Sequence, residues 1–213
     1  MFMSIGGERY DFQKAEIKPL ESGIQNLFAK FDKMTLGELV SQKKYEHLKA
    51  LTLSDYTHLI DQPTGKALME LKESGDLFYR QFLNNYGDLT YFRFTVEGNE
   101  QLLNKKGVYN IIVDDQLVFS GVCARSFRER FNQHIGNISA KGCYRDGTAT
   151  HCHINARLYE VFGREKVTFT VCPLTDSKEM NQLKNSIIKR FEPEWNIKSN
   201  KEIKSYFKLY ENT

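Results

Sequence analysis

The pattern of apolar and polar positions predicts two differently built halves. In residues 1–106, apolar residues recur mainly at helical spacing, and Thr35 with Glu38 has the capping-box signature of a helix running to about Ala50. In this half only Thr90–Val96 alternates enough to be a strand. The first half is therefore predicted to be mostly helical.

The second half mixes strands with helices. Two runs rich in β-branched and aromatic residues, 107–114 and 116–121, flank Asp114-Asp115 and predict an antiparallel hairpin. The elements expected after it are a helix from Ser126 to about Ile138, a helix capped by Thr150 and ending at Gly163, a strand at Val167–Cys172, and a helix from Asp176 or Ser177 to Phe191. This order indicates the α+β class, with a small antiparallel β-sheet flanked by helices and an N-terminal mainly helical region.

Charge and cysteine content narrow the expected partners and the cellular location. Residues 1–106 carry 14 Lys/Arg against 15 Asp/Glu, whereas residues 107–213 carry 16 against 12, a net charge of +4. The second half is the expected contact for a polyanion, although a solvated surface would give the same balance. The four cysteines form no CxxC pair, and no apolar run resembles a signal peptide or a membrane span. We therefore expect reduced thiols, a cytoplasmic location and no membrane partner.

Arg130 and His134 are the first candidates for chemistry. Positions i and i+4 share a helix face, so both side chains can point at one target. A guanidinium stabilises negative charge and an imidazole moves protons, a combination that suits a phosphate. A basic helix surface is the alternative interpretation of this pair alone.

A longer ordered set of motifs surrounds this pair. Gly107-Val108-Tyr109 opens the hairpin, Phe119-Ser120-Gly121 closes it, and Arg-x-x-x-His follows. Lys184 to Lys189 and then Pro193 to Ile197 form a last segment near the C-terminus. Together these residues resemble the signature of the GIY-YIG nuclease superfamily over residues 107–198. Residues 1–100 resemble no family that we can name.

The resemblance implies an endonuclease that hydrolyses phosphodiester bonds in double-stranded DNA with Mg²⁺ or Mn²⁺. It implies that Tyr109 orients or deprotonates the attacking water, Arg130 stabilises the phosphorane, His134 assists proton transfer or holds Tyr109, and Asn196 anchors the site. Phe119 holds the position of the second motif tyrosine. The basic residues expected to contact DNA are Arg125, Arg128, Lys189 and Arg190.

Three departures from the family pattern affect this expectation. Phe119 lacks the hydroxyl of the motif tyrosine, and one extra residue separates Gly121 from Arg130. The family's metal-binding glutamate aligns with Lys184, while Glu179 and Glu192 lie at positions that do not replace it. An inactivated nuclease, or a degenerate fold that binds DNA without cutting it, therefore stays open as an alternative.

Lys184 is also unusual for a reason that does not depend on the resemblance to the family. It falls near the middle of an apolar arc on its helix, where a lysine either extends its ammonium to solvent or lines a functional pocket. The arc is formed by Met180, Leu183, Ile187, Ile188 and Phe191.

A zinc site is a further alternative, although the spacing of its residues fits no usual pattern. Its ligands would be Cys143, His151, Cys152 and His153.

The predicted organisation follows chain order. Residues 1–100 form a mainly helical part for DNA recognition or dimerisation, residues 101–198 form the GIY-YIG module, and residues 199–213 form a charged C-terminal tail. The long extension before the module favours a restriction-type over a homing endonuclease. A homodimer would suit cleavage of both strands of a symmetric site.

Overall fold

The structure is a computed structural model that describes residues 2–197. It is an α+β protein, as predicted, and its chain divides into two compact units. Within the described residues, unit 1 contains 2–16, 98–127 and 163–197, and unit 2 contains 17–97 and 128–162. Each unit is thus assembled from separate stretches, unlike the consecutive division that the sequence predicts. The predicted charged tail at 199–213 lies outside the described residues.

Antiparallel strands form the centre of unit 1. Strand β5 (Gly107–Val113) lies between β6 (Gln116–Cys123) and β7 (Val167–Pro173). The start of β3 (Gln13–Ile24) pairs through Gln13–Ala15 with the other edge of β7. A separate hairpin, β1 with β2, precedes them. The strand bounds are β1 Phe2–Ile5, β2 Glu8–Asp11, β3 Gln13–Ile24, β5 Gly107–Val113, β6 Gln116–Cys123 and β7 Val167–Pro173.

The β5–β6 hairpin and the last helix of unit 1 confirm their sequence predictions. Asp114 and Asp115 have φ values of 45° and 65°, the left-handed pair that a tight two-residue hairpin turn requires. The helix α7 (Ser177–Phe191) begins after Asp176, whose side chain accepts a hydrogen bond from the Lys178 backbone N–H at 2.7 Å. The order strand, strand, helix, helix, strand, helix is therefore confirmed from β5 onward.

Helix α7 packs an apolar stripe on the sheet of unit 1. Met180, Leu183 and Ile187 share a core with Val108 and Cys172 of the strands. The predicted arc was too wide, because Phe191 at the end of the helix is 42% exposed. The stripe therefore ends one turn earlier than the sequence pattern indicated. A short helix, α4 (Glu100–Leu103), precedes β5 in the same unit.

Unit 2 is built mainly from helices around an aromatic core. The predicted capping box is present, since the Thr35 hydroxyl accepts from the Glu38 N–H at 3.2 Å and the Glu38 carboxylate accepts from the Thr35 N–H at 2.7 Å. The single helix expected up to Ala50 is two helices. The bounds in unit 2 are α1 Leu36–Val40, α2 Glu46–Asp55, α3 Thr64–Glu73, strand β4 Tyr91–Glu97 and α6 Ala149–Val161, with 3-10 helices at Leu27–Lys30, Thr57–Leu59, Leu77–Phe82 and Ala140–Cys143.

The helix that carries Arg130 and His134 begins as α5 (Phe127–Glu129) and continues as a π-helix over Arg130–Ile135. It ends at Ile135, three residues before the predicted end. Helix α6 begins at Ala149, so Thr150 lies inside the helix, and its predicted role as N-cap is wrong.

Three strands in the first half were not predicted. β1, β2 and most of β3 present exposed polar residues, and only Met3, Ile5, Phe12 and Ala15 are buried in this region. So few apolar positions give no period-two signal. No helix within residues 2–197 combines the length and the apolar character that a membrane-spanning segment needs.

Candidate functional site

Tyr109 and the second motif tripeptide lie side by side in unit 1. Tyr109 on β5 is in register with Gly121 on β6, and its ring centroid is 5.8 Å from that of Phe119. The side chain is only 3% exposed. A Cβ atom added to Gly121 would lie 2.7 Å from both Cζ and Oη of Tyr109. Glycine at this position therefore lets the tyrosine ring lie across the neighbouring strand.

The C-terminal motif segment is fixed to the same tripeptide. The Asn196 side chain accepts a hydrogen bond from the Ser120 N–H at 2.8 Å and donates one to the Ser120 carbonyl at 2.8 Å. The Trp195 N–H donates to the Val118 carbonyl at 2.9 Å. Asn196 thus satisfies both backbone groups of the residue between Phe119 and Gly121, and it links two motifs that are 76 residues apart in the chain.

Three buried polar side chains form what we call the polar row: Asn110, Ser120 and Thr170. Asn110 on β5 is paired with Ser120 on β6 and with Thr170 on β7. Asn110 and Thr170 lie two residues from Val108 and Cys172, so they share the sheet face that α7 covers. None of the three side chains has a hydrogen-bond partner among residues 2–197. Each such group carries a desolvation cost.

Lys184 is half-buried on α7, between Leu183 and Ile187 of the apolar stripe. An ammonium has no lone pair to offer a hard cation, and its charge repels one. The side chain at this position therefore does not fit Mg²⁺ or Mn²⁺. Within residues 2–197, no group of three or more His, Cys, Asp and Glu side chains is placed to hold a metal ion.

Arg130 and His134, which belong to unit 2, meet a third residue. The Arg130 Nη1 lies 2.7 Å from Nε2 of His151 on α6. The ring of His134 has its centroid 5.4 Å from that of His151, and its Nε2 lies 3.2 Å from the Glu129 carboxylate. The two motif residues therefore both adjoin the side chain of His151.

Electrostatics keep His151 neutral. Burial, and then the charges of Arg130 and His134, lower the pKa of His151 to about 4. At neutral pH its Nε2 therefore accepts the hydrogen bond from the guanidinium, and Nδ1 carries the hydrogen.

Sequence reasoning gave His151 no role beside Arg130. The residue lies in the run His151-Cys152-His153, and no spacing rule distinguishes the two histidines. In the structure, the His153 ring packs at a tilt against Tyr86, with the ring centroids 4.6 Å apart, and His151 contacts Arg130. The two histidines of the zinc alternative therefore have separate partners, whereas Cys143 and Cys152 are hydrogen-bonded to each other. All four cysteines lie in the described chain, where they are buried free thiols.

The predicted DNA-contacting residues differ in their surroundings. Arg125 and Lys189 are exposed and Arg128 is half-buried. Arg190 donates from Nη1 to the Ser4 carbonyl at 2.6 Å, and its guanidinium lies 5.3 Å from the centroid of the Phe191 ring. Arg190 is thus held by contacts within unit 1.

The motif residues are divided between the units. Tyr109, Phe119, Lys184 and Asn196 belong to unit 1, and Arg130 and His134 belong to unit 2. Comparison with protein-family models, with curated proteins and with solved structures gave no match for this chain.

Proposed function

We propose that this chain is a restriction-type GIY-YIG endonuclease fold that acts on phosphodiester bonds in double-stranded DNA. The contact between Asn196 and Ser120 carries the proposal. The two motif segments were selected from sequence alone, and a side chain of one binds the backbone of the other through two hydrogen bonds.

The side chains support hydrolytic chemistry. Hydrolysis forms a bond between a water oxygen and phosphorus, breaks one P–O ester bond, and moves a proton to the leaving oxygen. Arg130 supplies a permanent charge for the phosphorane, and Tyr109 supplies a hydroxyl that orients the water. When His134 is neutral, donation from Nε2 to Glu129 leaves the lone pair on Nδ1, which can accept a proton.

The metal of the family has no suitable ligand at position 184. A glutamate there would give a divalent cation a carboxylate oxygen, whereas Lys184 gives an ammonium. We therefore assign no step to a metal, and we expect the chain as written to cleave DNA poorly or not at all. Slow cleavage in which the ammonium itself stabilises the phosphate is the competing mechanism.

A second function is favoured by the same residue. Lys184 and Phe119 together remove a carboxylate and a hydroxyl from the motif, and a lysine attracts phosphate. A chain with these changes would serve as a DNA-binding module that does not cut. In either function, residues 1–100 would help to read the target, and a homodimer would match a symmetric site.

Duplex binding is the property shared by both functions. We expect the chain to bind mixed-sequence duplex DNA at low salt, and the affinity to fall steeply as salt rises because phosphate contacts release counterions. Fluorescence anisotropy across a salt series measures this dependence. Absence of binding at low salt, or binding that salt does not weaken, would contradict the proposal.

Arg130 provides the test of the chemistry. In a Lys184→Glu background that cuts DNA, Arg130→Ala should lower the rate by about 10²–10³ without changing the melting temperature greatly. Normal cutting by this variant would remove Arg130 from the site.

A further inference from the structure

Arg130 is oriented by a residue outside the motif. Its Nη1 donates to His151 Nε2 at 2.7 Å, and its Nε is enclosed without a hydrogen-bond partner among residues 2–197. Both Arg130 and His151 are half-buried. A long guanidinium side chain has several rotamers, so one short charge-assisted hydrogen bond selects among them.

His151 is suited to this contact only while it is neutral. A protonated imidazole has no lone pair and would repel the guanidinium. The groups that face His151 are Arg130 and His134, both on the preceding helix, and Glu129 contacts His134. Partial burial, and then the two basic neighbours, favour the neutral form and lower the pKa of His151 to about 4.

We propose that His151 is a positioning residue for Arg130, whose guanidinium it holds in the orientation used against a DNA phosphate. The role rests on the proposed function, because it requires Arg130 to contact DNA. The His134 ring packs beside the same imidazole, with the two ring centroids 5.4 Å apart.

A purely structural role is the competing explanation, since the contact also links the helix of Arg130 to α6. The chain contains a matched control in the same unit. Arg145 Nη1 lies 2.9 Å from Nε2 of His47, which repeats the arginine–histidine contact at an exposed position outside the motifs. Substitutions at His47 therefore measure the effect of losing an arginine–histidine contact that does not involve Arg130.

The test measures binding of a mixed-sequence DNA duplex at low salt by fluorescence anisotropy. Glutamine places a neutral acceptor at about the reach of Nε2, so His151→Gln should stay within about twofold of the unaltered chain. His151→Leu keeps Arg130 but removes the acceptor, and it should weaken binding about fivefold to tenfold. His47→Leu should have less than a twofold effect.

A double-mutant cycle separates positioning from stability. Arg130→Met should weaken binding at least as much as His151→Leu, and adding His151→Leu to Arg130→Met should cause no further loss. Additive losses, or unchanged affinity in His151→Leu despite a lower melting temperature, would overturn the positioning role. No binding by the unaltered chain would instead overturn the proposed function and this role with it.

Histidine side-chain NMR gives a reading that needs no DNA. His151 should have an unprotonated Nε2 at pH 7 and should titrate below pH 5, and Arg130→Met should raise its pKa. Titration of His151 near pH 6.5 with a protonated Nε2 would contradict the proposed contact.

Discussion

The two units differ in how their buried polar side chains are hydrogen-bonded. Unit 2 buries Thr52, Thr64 and Asn155, and each is hydrogen-bonded: the threonines donate to backbone carbonyls, and Asn155 binds the N–H and carbonyl of Phe92 and the carbonyl of Ile135. The buried atoms of unit 2 that lack a hydrogen bond, such as Gln62 Oε1 and Arg130 Nε, belong to side chains that have another partner. Unit 1 buries the polar row, whose side chains have no partner within residues 2–197.

This difference indicates that the polar row lowers the stability of unit 1. Buried polar groups in native proteins are normally paired, and exceptions concentrate at functional sites. Asn110 follows Tyr109 in sequence, and Ser120 is the residue that Asn196 holds. The polar row therefore adjoins the motif residues of unit 1, whereas the polar side chains of unit 2 fix the frame that presents Arg130 and His134.

Among the substitutions that test this comparison, Asn155→Leu should lower the free energy of unfolding most. It removes three hydrogen bonds and leaves backbone groups of Phe92 and Ile135 buried and unpaired, so the free energy of unfolding should fall by about 3–5 kcal/mol. Asn110→Leu, the matched change in unit 1, should alter it by about 1 kcal/mol or less because no hydrogen bond is lost. Urea denaturation measures both. Equal losses in the two variants would remove the difference between the units.

Gly121→Ala should destabilise unit 1 by about 1–3 kcal/mol through overpacking, since the new methyl group would lie 2.7 Å from the Tyr109 ring and 2.8 Å from the Phe119 ring. In unit 2, Gly142→Ala meets no atom closer than 3.3 Å and should cost less. Thermal denaturation of both variants compares them. A Gly121→Ala protein as stable as the parent would show that the tyrosine ring is not confined by this glycine.

His151 should contribute to the pH dependence of stability. Its folded pKa of about 4 lies below the unfolded value of about 6.5, so between these values the unfolded chain binds more protons. Stability should therefore fall as pH decreases from about 6.5 to 4, by roughly 1–2 kcal/mol after solvent screening. His151→Gln should flatten this part of the profile, and His47→Gln should leave it unchanged. A profile unaffected by His151→Gln would refute the assignment.

Two threonines should respond to the same substitution with opposite signs. Thr170→Val removes a buried hydroxyl that has no partner within the described chain and should stabilise the protein by up to about 1 kcal/mol. Thr64→Val removes the 2.9 Å hydrogen bond to the Met34 carbonyl and should destabilise it by about 1–2 kcal/mol. Melting temperatures of the two variants suffice for this test, and destabilisation in both would contradict the comparison.

Elements with strong local signals could be predicted from the sequence. The Asp114-Asp115 turn, the Thr35–Glu38 capping box and helix α7 depend on neighbouring residues, and all three are present. The strands β1 to β3 were missed because their partners, and not their own pattern, make them strands. The interleaved units and the contact of His151 with Arg130 depend on packing between distant residues, which no local pattern encodes.

The central claim is the proposal that this chain is a GIY-YIG nuclease fold altered at the metal position. Lys184→Glu tests this claim most directly. The unaltered chain and the variant are each incubated with long mixed-sequence DNA, in Mg²⁺ and in EDTA, and the products are resolved on one gel. We predict Mg²⁺-dependent cutting by the glutamate form and little or none by the lysine form, because only the carboxylate provides an oxygen ligand. EDTA-resistant cutting by the lysine form alone would favour direct stabilisation of the phosphate by the ammonium. Equal cutting by both forms would contradict the assignment of position 184, and no cutting by either form would leave DNA binding without cleavage as the function.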